Sequence, residues 1–169
     1  DHTGSKGAVY FDGVADYINL PGSFYHDSIH GEFTYMAWFK PSDLSAAVYP
    51  SGGGSLHFFR IDSTSAVSFR LNGTDNAFTG LDTINANAWT HIAVTRNSAD
   101  LMTAYINGSA QTDTETCADK YFAMRWLGTH TGSSNFYKGW IDEFMIYNKA
   151  LTAKEVSKNY KFSVGQHKN

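Results

Sequence analysis

One cysteine, Cys117, stands in a chain of 169 residues, so no internal disulfide can form. Proline is scarce at three, and charged side chains make up only 17%. The net charge is −3 and no tract of lysine or arginine occurs. A nucleic-acid partner needs a basic stripe, and there is none. No apolar run approaches the roughly 20 residues that cross a bilayer as a helix, so membrane insertion is not expected. The chain opens on Asp1 without a leader pattern, as a piece cut from something longer would. Catalytic signatures are sparse too. No Gly-x-Ser-x-Gly elbow occurs. The Gly52-Gly53-Gly54 run is not followed by Gly-Lys-Ser/Thr and so is no phosphate loop. It reads as a flexible loop.

What the chain has is aromatics and turns. It carries 12 Phe, 10 Tyr, 4 Trp and 15 Gly. That profile fits a β-protein with many connections rather than a helical bundle. Short strand candidates follow one another: Ala8 to Phe11, Tyr17 to Leu20, Phe33 to Lys40, Leu56 to Ile61, Ala66 to Leu71, Ala77 to Thr79, Trp89 to Arg96, Leu101 to Ile106 and Tyr121 to Leu127. Two pairs flank four-residue connections and read as hairpins. Asn72-Gly73 and Asn107-Gly108 are tight-turn signals. Each also begins an N-glycosylation sequon, which matters only if a eukaryote secretes the chain. The one clear helix starts at Thr152, where Thr152 and Glu155 form a capping box. Residues 1–6 read as a tether and 7–169 as one domain. Many short strands and one C-terminal helix predict an all-β fold, a two-sheet antiparallel β-sandwich or jelly roll.

The stretch from Phe136 to Leu151 is the densest strand candidate. Simple alternation puts Ile141, Glu143, Met145 and Tyr147 on one side and Asp142, Phe144, Ile146 and Asn148 on the other. Asp142 then starts a core-facing row, where an acid needs a cation, backbone donors or the sheet rim.

Five segments, in order over nearly the whole chain, resemble a laminin-G-like domain of the concanavalin A-like lectin/glucanase superfamily. They are Ala8 to Ile18, Phe33 to Pro41, Trp89 to Thr95, Ala104 to Gly108, and Gly139 to Val156. The resemblance implies two curved sheets, one convex and one concave. It also implies a structural calcium at the sheet rim, held by Asp142 with Asp12 and a carbonyl near Gly31. Calcium takes several carboxylate and carbonyl oxygens, which fits that set. The alternative is that Asp142 accepts bonds from a neighbouring turn. A second metal candidate, zinc on His26 and His30 with Asp27, lacks the glutamate of a zincin motif.

Fold alone names no function. Retaining glycanases need two placed carboxylates, and here only Asp142 and Glu143 cluster, on opposite faces of one strand. An enzyme is therefore not expected. For sugar binding, Arg60 and Arg70 fall on one outward face of a hairpin together with Phe58, suited to a charged or heavily hydroxylated sugar. Tyr49, Trp126, His130, Asn135 and Tyr137 add polar and aromatic groups in or beside loops. The sequence thus predicts a non-catalytic, extracellular, carbohydrate-binding or adhesive module of a larger protein, recognising glycans or glycoconjugates. The rival is a protein-binding or oligomer-assembly domain, and a homo-oligomer is compatible with both.

Overall fold

The structure, a computed structural model, describes residues 7–22, 29–64, 66–79, 81–118 and 121–167. The tether 1–6 and His26 and Asp27 of the zinc expectation lie outside the described residues. The strands are β1 (Val9–Asp12), β2 (Ile18–Asn19), β3 (Ile29–His30), β4 (Phe33–Pro41), β5 (Val48–Gly52), β6 (Phe58–Ile61), β7 (Val67–Leu71) and β8 (Thr74–Phe78). They continue as β9 (Thr90–Arg96), β10 (Leu101–Ile106), β11 (Ser109–Thr116), β12 (Tyr121–Phe122), β13 (Trp126–Leu127) and β14 (Lys138–Tyr147). Helix α1 spans Ala153–Ser163 and runs into a single 3₁₀ turn, Val164–Gln166.

Two six-stranded antiparallel sheets make the sandwich. The first has the order β1-β14-β4-β9-β10-β11 and the second β2-β13-β5-β6-β7-β8. Between them lies an aromatic core that includes Phe11, Phe33, Tyr35, Phe39, Phe59 and Phe69. Strict alternation along β6 and β7 sends Phe59, Ile61, Val67, Phe69 and Leu71 inward. The remaining residues of those two strands must face out, and this sets up the site described below. Both Asn-Gly turns have positive φ at both positions, 45° and 80° at Asn72-Gly73 and 50° and 76° at Asn107-Gly108. That is the type I′ geometry matching strand twist.

Helix α1 covers the outer face of the first sheet. Val156 and Leu151 pack on Met36, Ala93 and Tyr105, which alternate with the inward residues of β4, β9 and β10. Its capping box forms as the sequence predicts. Thr152 Oγ1 accepts from the Glu155 amide at 3.3 Å, and Glu155 Oε2 accepts from the Thr152 amide at 2.8 Å. The amide bonds and Lys149 hold the Glu155 carboxyl down at about 2.

The reading of β14 needs correction. The register against β4 shifts between Asp142 and Met145, and Glu143 sits in the left-handed region at φ 48°. This is a β-bulge, which adds a residue and exchanges the faces beyond it. Ile141 and then Phe144 and Ile146 meet the core, while Met145 and Tyr147 meet the helix side. Asp142, paired with Trp38, faces outward toward the helix end, so it does not share the core row of Phe144 and Ile146. There its Oδ2 lies 2.9 Å from His167 Nε2, and its Oδ1 accepts from the Glu143 amide at 2.8 Å. His167 is buried, stacks flat on Trp38 at 4.2 Å, and reaches the Ser163 carbonyl through Nδ1 at 3.0 Å. Trp38 Nε1 in turn donates to Ser163 Oγ at 2.9 Å. The end of the helix is thereby latched to the sheet.

Two buried histidines make stability pH-dependent. Burial lowers His57 to about 4, and burial with a smaller push from His167 lowers His91 to about 4. Unfolded histidine titrates near ~6.5, so between ~6.5 and ~4 only the unfolded chain takes up these protons. Stability from this source is complete above that window and is lost as pH falls through it. The slope is at most about 1.4 kcal/mol per pH unit for each ring. Urea unfolding at pH 7.5, 5.5 and 4.5 should show the decline, and His91→Gln should make its slope clearly shallower. An unchanged slope in that variant would contradict the assignment.

Candidate functional site

Among the described residues, no helix lies on the outer face of the second sheet. Its registers place Phe58 opposite Arg70, Arg60 opposite Ser68, and Arg70 opposite Asp75. Phe58 is the hub. The Arg60 guanidinium carbon stands 5.5 Å from its ring centroid and that of Arg70 5.1 Å. Tyr49 and His130 meet the same ring edge-on at 5.4 and 5.1 Å, and stack on each other at 4.8 Å. Four groups thus cover Phe58, which is only 3% exposed, and each of the four keeps part of its surface in solvent. Cation–π contacts of this kind each contribute about 0.5–2 kcal/mol and hold the guanidinium planes in place.

The two arginines differ in their partners. Arg70 Nε donates to Asp75 Oδ1 at 2.5 Å and its Nη1 to the Ser55 carbonyl at 3.0 Å. Arg60 Nη2 donates to Ser68 Oγ at 3.0 Å, and its buried Nε has no partner. A desolvated donor left without an acceptor costs about 1–3 kcal/mol.

His130 belongs to the loop 128–136. Thr129 Oγ1 donates to the Ser134 carbonyl at 2.9 Å and accepts from the Gly132 amide at 3.3 Å, which closes the loop on itself. Asn135, at φ 52°, places its Nδ2 3.2 Å from His130 Nδ1. Burial, with help from the Arg70 charge, lowers the His130 pKa, so the neutral ring accepts from Asn135 at Nδ1. Underneath runs β5, where the sequence suggested a flexible glycine loop. Gly52 pairs with Phe58 on one side and Trp126 on the other. A Cβ there would overlap the His130 carbonyl. Glycine at this position lets the loop lie directly on the sheet.

Of the residues singled out in the sequence, Tyr49, Arg60, Arg70, His130 and Asn135 are therefore brought together. Trp126 lies on the same face one strand further, with the Arg125 guanidinium at 4.9 Å from its ring and Gly132 against it. Tyr137 is not at the site. It is fully buried against Phe11, because its alternation with the exposed Lys138 turns it inward. Sequence reading missed Ser55 and Asp75. Asp75 was within reach: a two-residue Asn72-Gly73 turn puts Leu71 opposite Thr74 and Arg70 opposite Asp75.

The three residues of the calcium expectation are not gathered. Asp12 is opposite Lys138, four residues along β14 from Asp142, which is about 13 Å of strand. Gly31 precedes Thr34, whose partner is Tyr147, at the other end of β14. Oxygen ligands must stand within about 2.6 Å of one Ca²⁺ ion. Asp12 instead accepts from the Val14 and Ala15 amides at 2.7 and 3.3 Å, which lowers its pKa. Asp142 holds His167. Among the described residues, no three His, Cys, Asp or Glu side chains cluster as a metal site. These residues do not fit a shared ion.

Comparison with known families matches residues 11–157 to the model for the concanavalin A-like lectin/glucanases superfamily. The chain belongs to that superfamily. This lectin-like domain has no match among characterised protein sequences. Solved structures share its fold at low identity. The ligand-binding domain of botulinum neurotoxin serotype D, in complex with N-acetylneuraminic acid, superposes with a TM-score of 0.72 at 18% identity, over 96% of this chain and 44% of that one. The CBM40 of a Ruminococcus gnavus IT-sialidase, bound to α2,3-sialyllactose, gives 0.69 at 14%, over 91% and 96%. A heptameric SAP-like pentraxin from Limulus polyphemus gives 0.68 at 16%, over 89% and 79%. This domain thus spans less than half of the neurotoxin structure and nearly all of the CBM40.

Proposed function

We propose that this domain is a non-catalytic, extracellular carbohydrate-binding module that takes its ligand on the outer face of the second sheet. The observation that carries the reading is the Phe58-centred cluster. Aromatic, guanidinium and imidazole groups are fixed on a sheet face that no helix of the described residues covers. Sugars require this combination of apolar C–H contact and oriented donors. The fold neighbours add support, since two of them are sugar complexes. The non-catalytic part rests on charge. Along the six strands of this face the one carboxylate is Asp75, and it is bound to Arg70. Hydrolysis of a glycosidic bond asks for two.

A glycan array probed with folded protein at neutral pH should give reproducible binding to at least one glycan class. Tyr49→Ala should weaken it about tenfold, the loss of ~1.4 kcal/mol that one aromatic contact supplies. A silent array would count against the reading. A tight oligomer in light scattering together with a silent array would favour assembly instead, through the exposed Val9, Val14, Tyr17 and Ile18 on and between β1 and β2.

A further inference from the structure

Resting on the reading above, we infer that the ligand of this face carries an oxyanion, a carboxylate or a sulfate ester, and that Arg60 is the residue that selects it. The argument is one of unmatched donors. Two guanidinium groups share the Phe58 ring, and the strands of the face supply one carboxylate between them. That carboxylate, Asp75, belongs to Arg70, which also spends Nη1 on the Ser55 carbonyl. Arg70 is thereby a fixed cation, a positioning residue that braces Phe58.

Arg60 has no such counterpart. Its single bond goes to the neutral Ser68 hydroxyl, and its Nε has no acceptor. Asp62, two residues on, lies close enough to feel the Arg60 charge. Its Oδ1, however, accepts from the Thr64 amide at 2.9 Å, the Thr64 hydroxyl at 2.7 Å and the Ala66 amide at 3.0 Å. That carboxylate is spent on closing the β6–β7 turn. His130 contributes no charge near neutral pH, since burial and Arg70 lower its pKa. The face therefore keeps one guanidinium that, among the described residues, has no carboxylate in ion-pair contact and one hydrogen bond for its fork of donors. A hydroxyl can satisfy one such donor, whereas a carboxylate or sulfate can take two in parallel and neutralise the charge. Lysine at this position would keep the charge and lose the planar fork. An uncharged sugar would leave the guanidinium without an anion.

The test uses matched glycan pairs and titration calorimetry on the whole chain. The pairs are 3′-sialyllactose and lactose, a glucuronate-terminated disaccharide and its glucose counterpart, and 3′-sulfolactose and lactose. The wild type should bind the acidic member of at least one pair ten or more times tighter than the neutral one. Which pair shows it separates carboxylate from sulfate. Arg60→Gln should erase that preference, and Arg60→Lys should remove most of it, with melting temperatures close to wild type. Equal affinity for acidic and neutral members, with glycan binding intact, would overturn this inference and leave the carbohydrate reading standing. So would an Arg60→Gln variant that keeps the full acidic preference or weakens both members alike. Absence of binding to every glycan would instead sink the reading beneath it.

Discussion

Gly52→Ala is expected to abolish ligand binding on the second sheet and to lower the melting temperature by several degrees. Gly52 is flanked by Phe58 and Trp126 across two strand pairings, and the His130 carbonyl lies where its Cβ would go. The obstructing atoms are backbone, so no rotamer change relieves the overlap. Either β5 or the loop 128–136 must move. The loop carries His130, which stacks on Tyr49 and edges onto Phe58, and Asn135, which holds His130. Shifting it dismantles one side of the cluster. Overpacking costs about 1–3 kcal/mol, and for a domain of this size each kcal/mol is worth about 2–4 °C. A thermal melt paired with titration of an array-positive glycan checks both halves. Wild-type affinity in Gly52→Ala would show that the loop's seat on β5 does not position the site.

The second large effect is at the other sheet. His167→Ala should destabilise the domain by about 3 kcal/mol, because it removes the buried hydrogen bond to Asp142 together with a well-packed ring. The His167 side chain is completely buried and Asp142 nearly so. The same change empties the slot against Trp38, which His167 fills by stacking at 4.2 Å, and removes the edge contact to Trp89 at 4.9 Å. The helix end then loses its latch to β14. Chemical denaturation should report the loss, and helical amides of the last turn should exchange faster. Glycan affinity should not change, since the latch and the Phe58 cluster lie on opposite outer faces. Phe162→Ala makes a suitable control, because that ring is 86% exposed and its loss should be nearly neutral. A His167→Ala protein as stable as wild type would remove the latch from the account.

Much of this architecture could be read from the chain because local chemistry and fold agreed. The Asn-Gly turns, the β6–β7 and β9–β10 hairpins and the Thr152–Glu155 box each form where residue type requires them. The face that holds Arg60 and Arg70 followed from alternation on a bulge-free hairpin. Several strands were not legible, β5 and β11 among them. β5 ends in a glycine run that resembles a loop, and only tertiary contact with His130 explains why glycine is needed there. β11 is polar apart from Ala110, an edge strand whose Asp113 and Gln111 turn to Thr79 and Asp82 beside β8 rather than to a core. The bulge at Glu143 was equally invisible, since a single positive φ in an aromatic strand leaves no mark in residue type. That one residue reassigns Asp142 from a core row with a rim metal to an outward contact with His167, which lies 25 positions further along.

The most direct measurement is a crystal structure of the domain with the tightest acidic glycan found in the paired titrations. The expected result is sugar density over Tyr49, Arg60 and Arg70, with an oxyanion against the Arg60 guanidinium. Density on the helix-bearing sheet, or at the β1–β2 side of the sandwich with the Phe58 cluster bare, would contradict it.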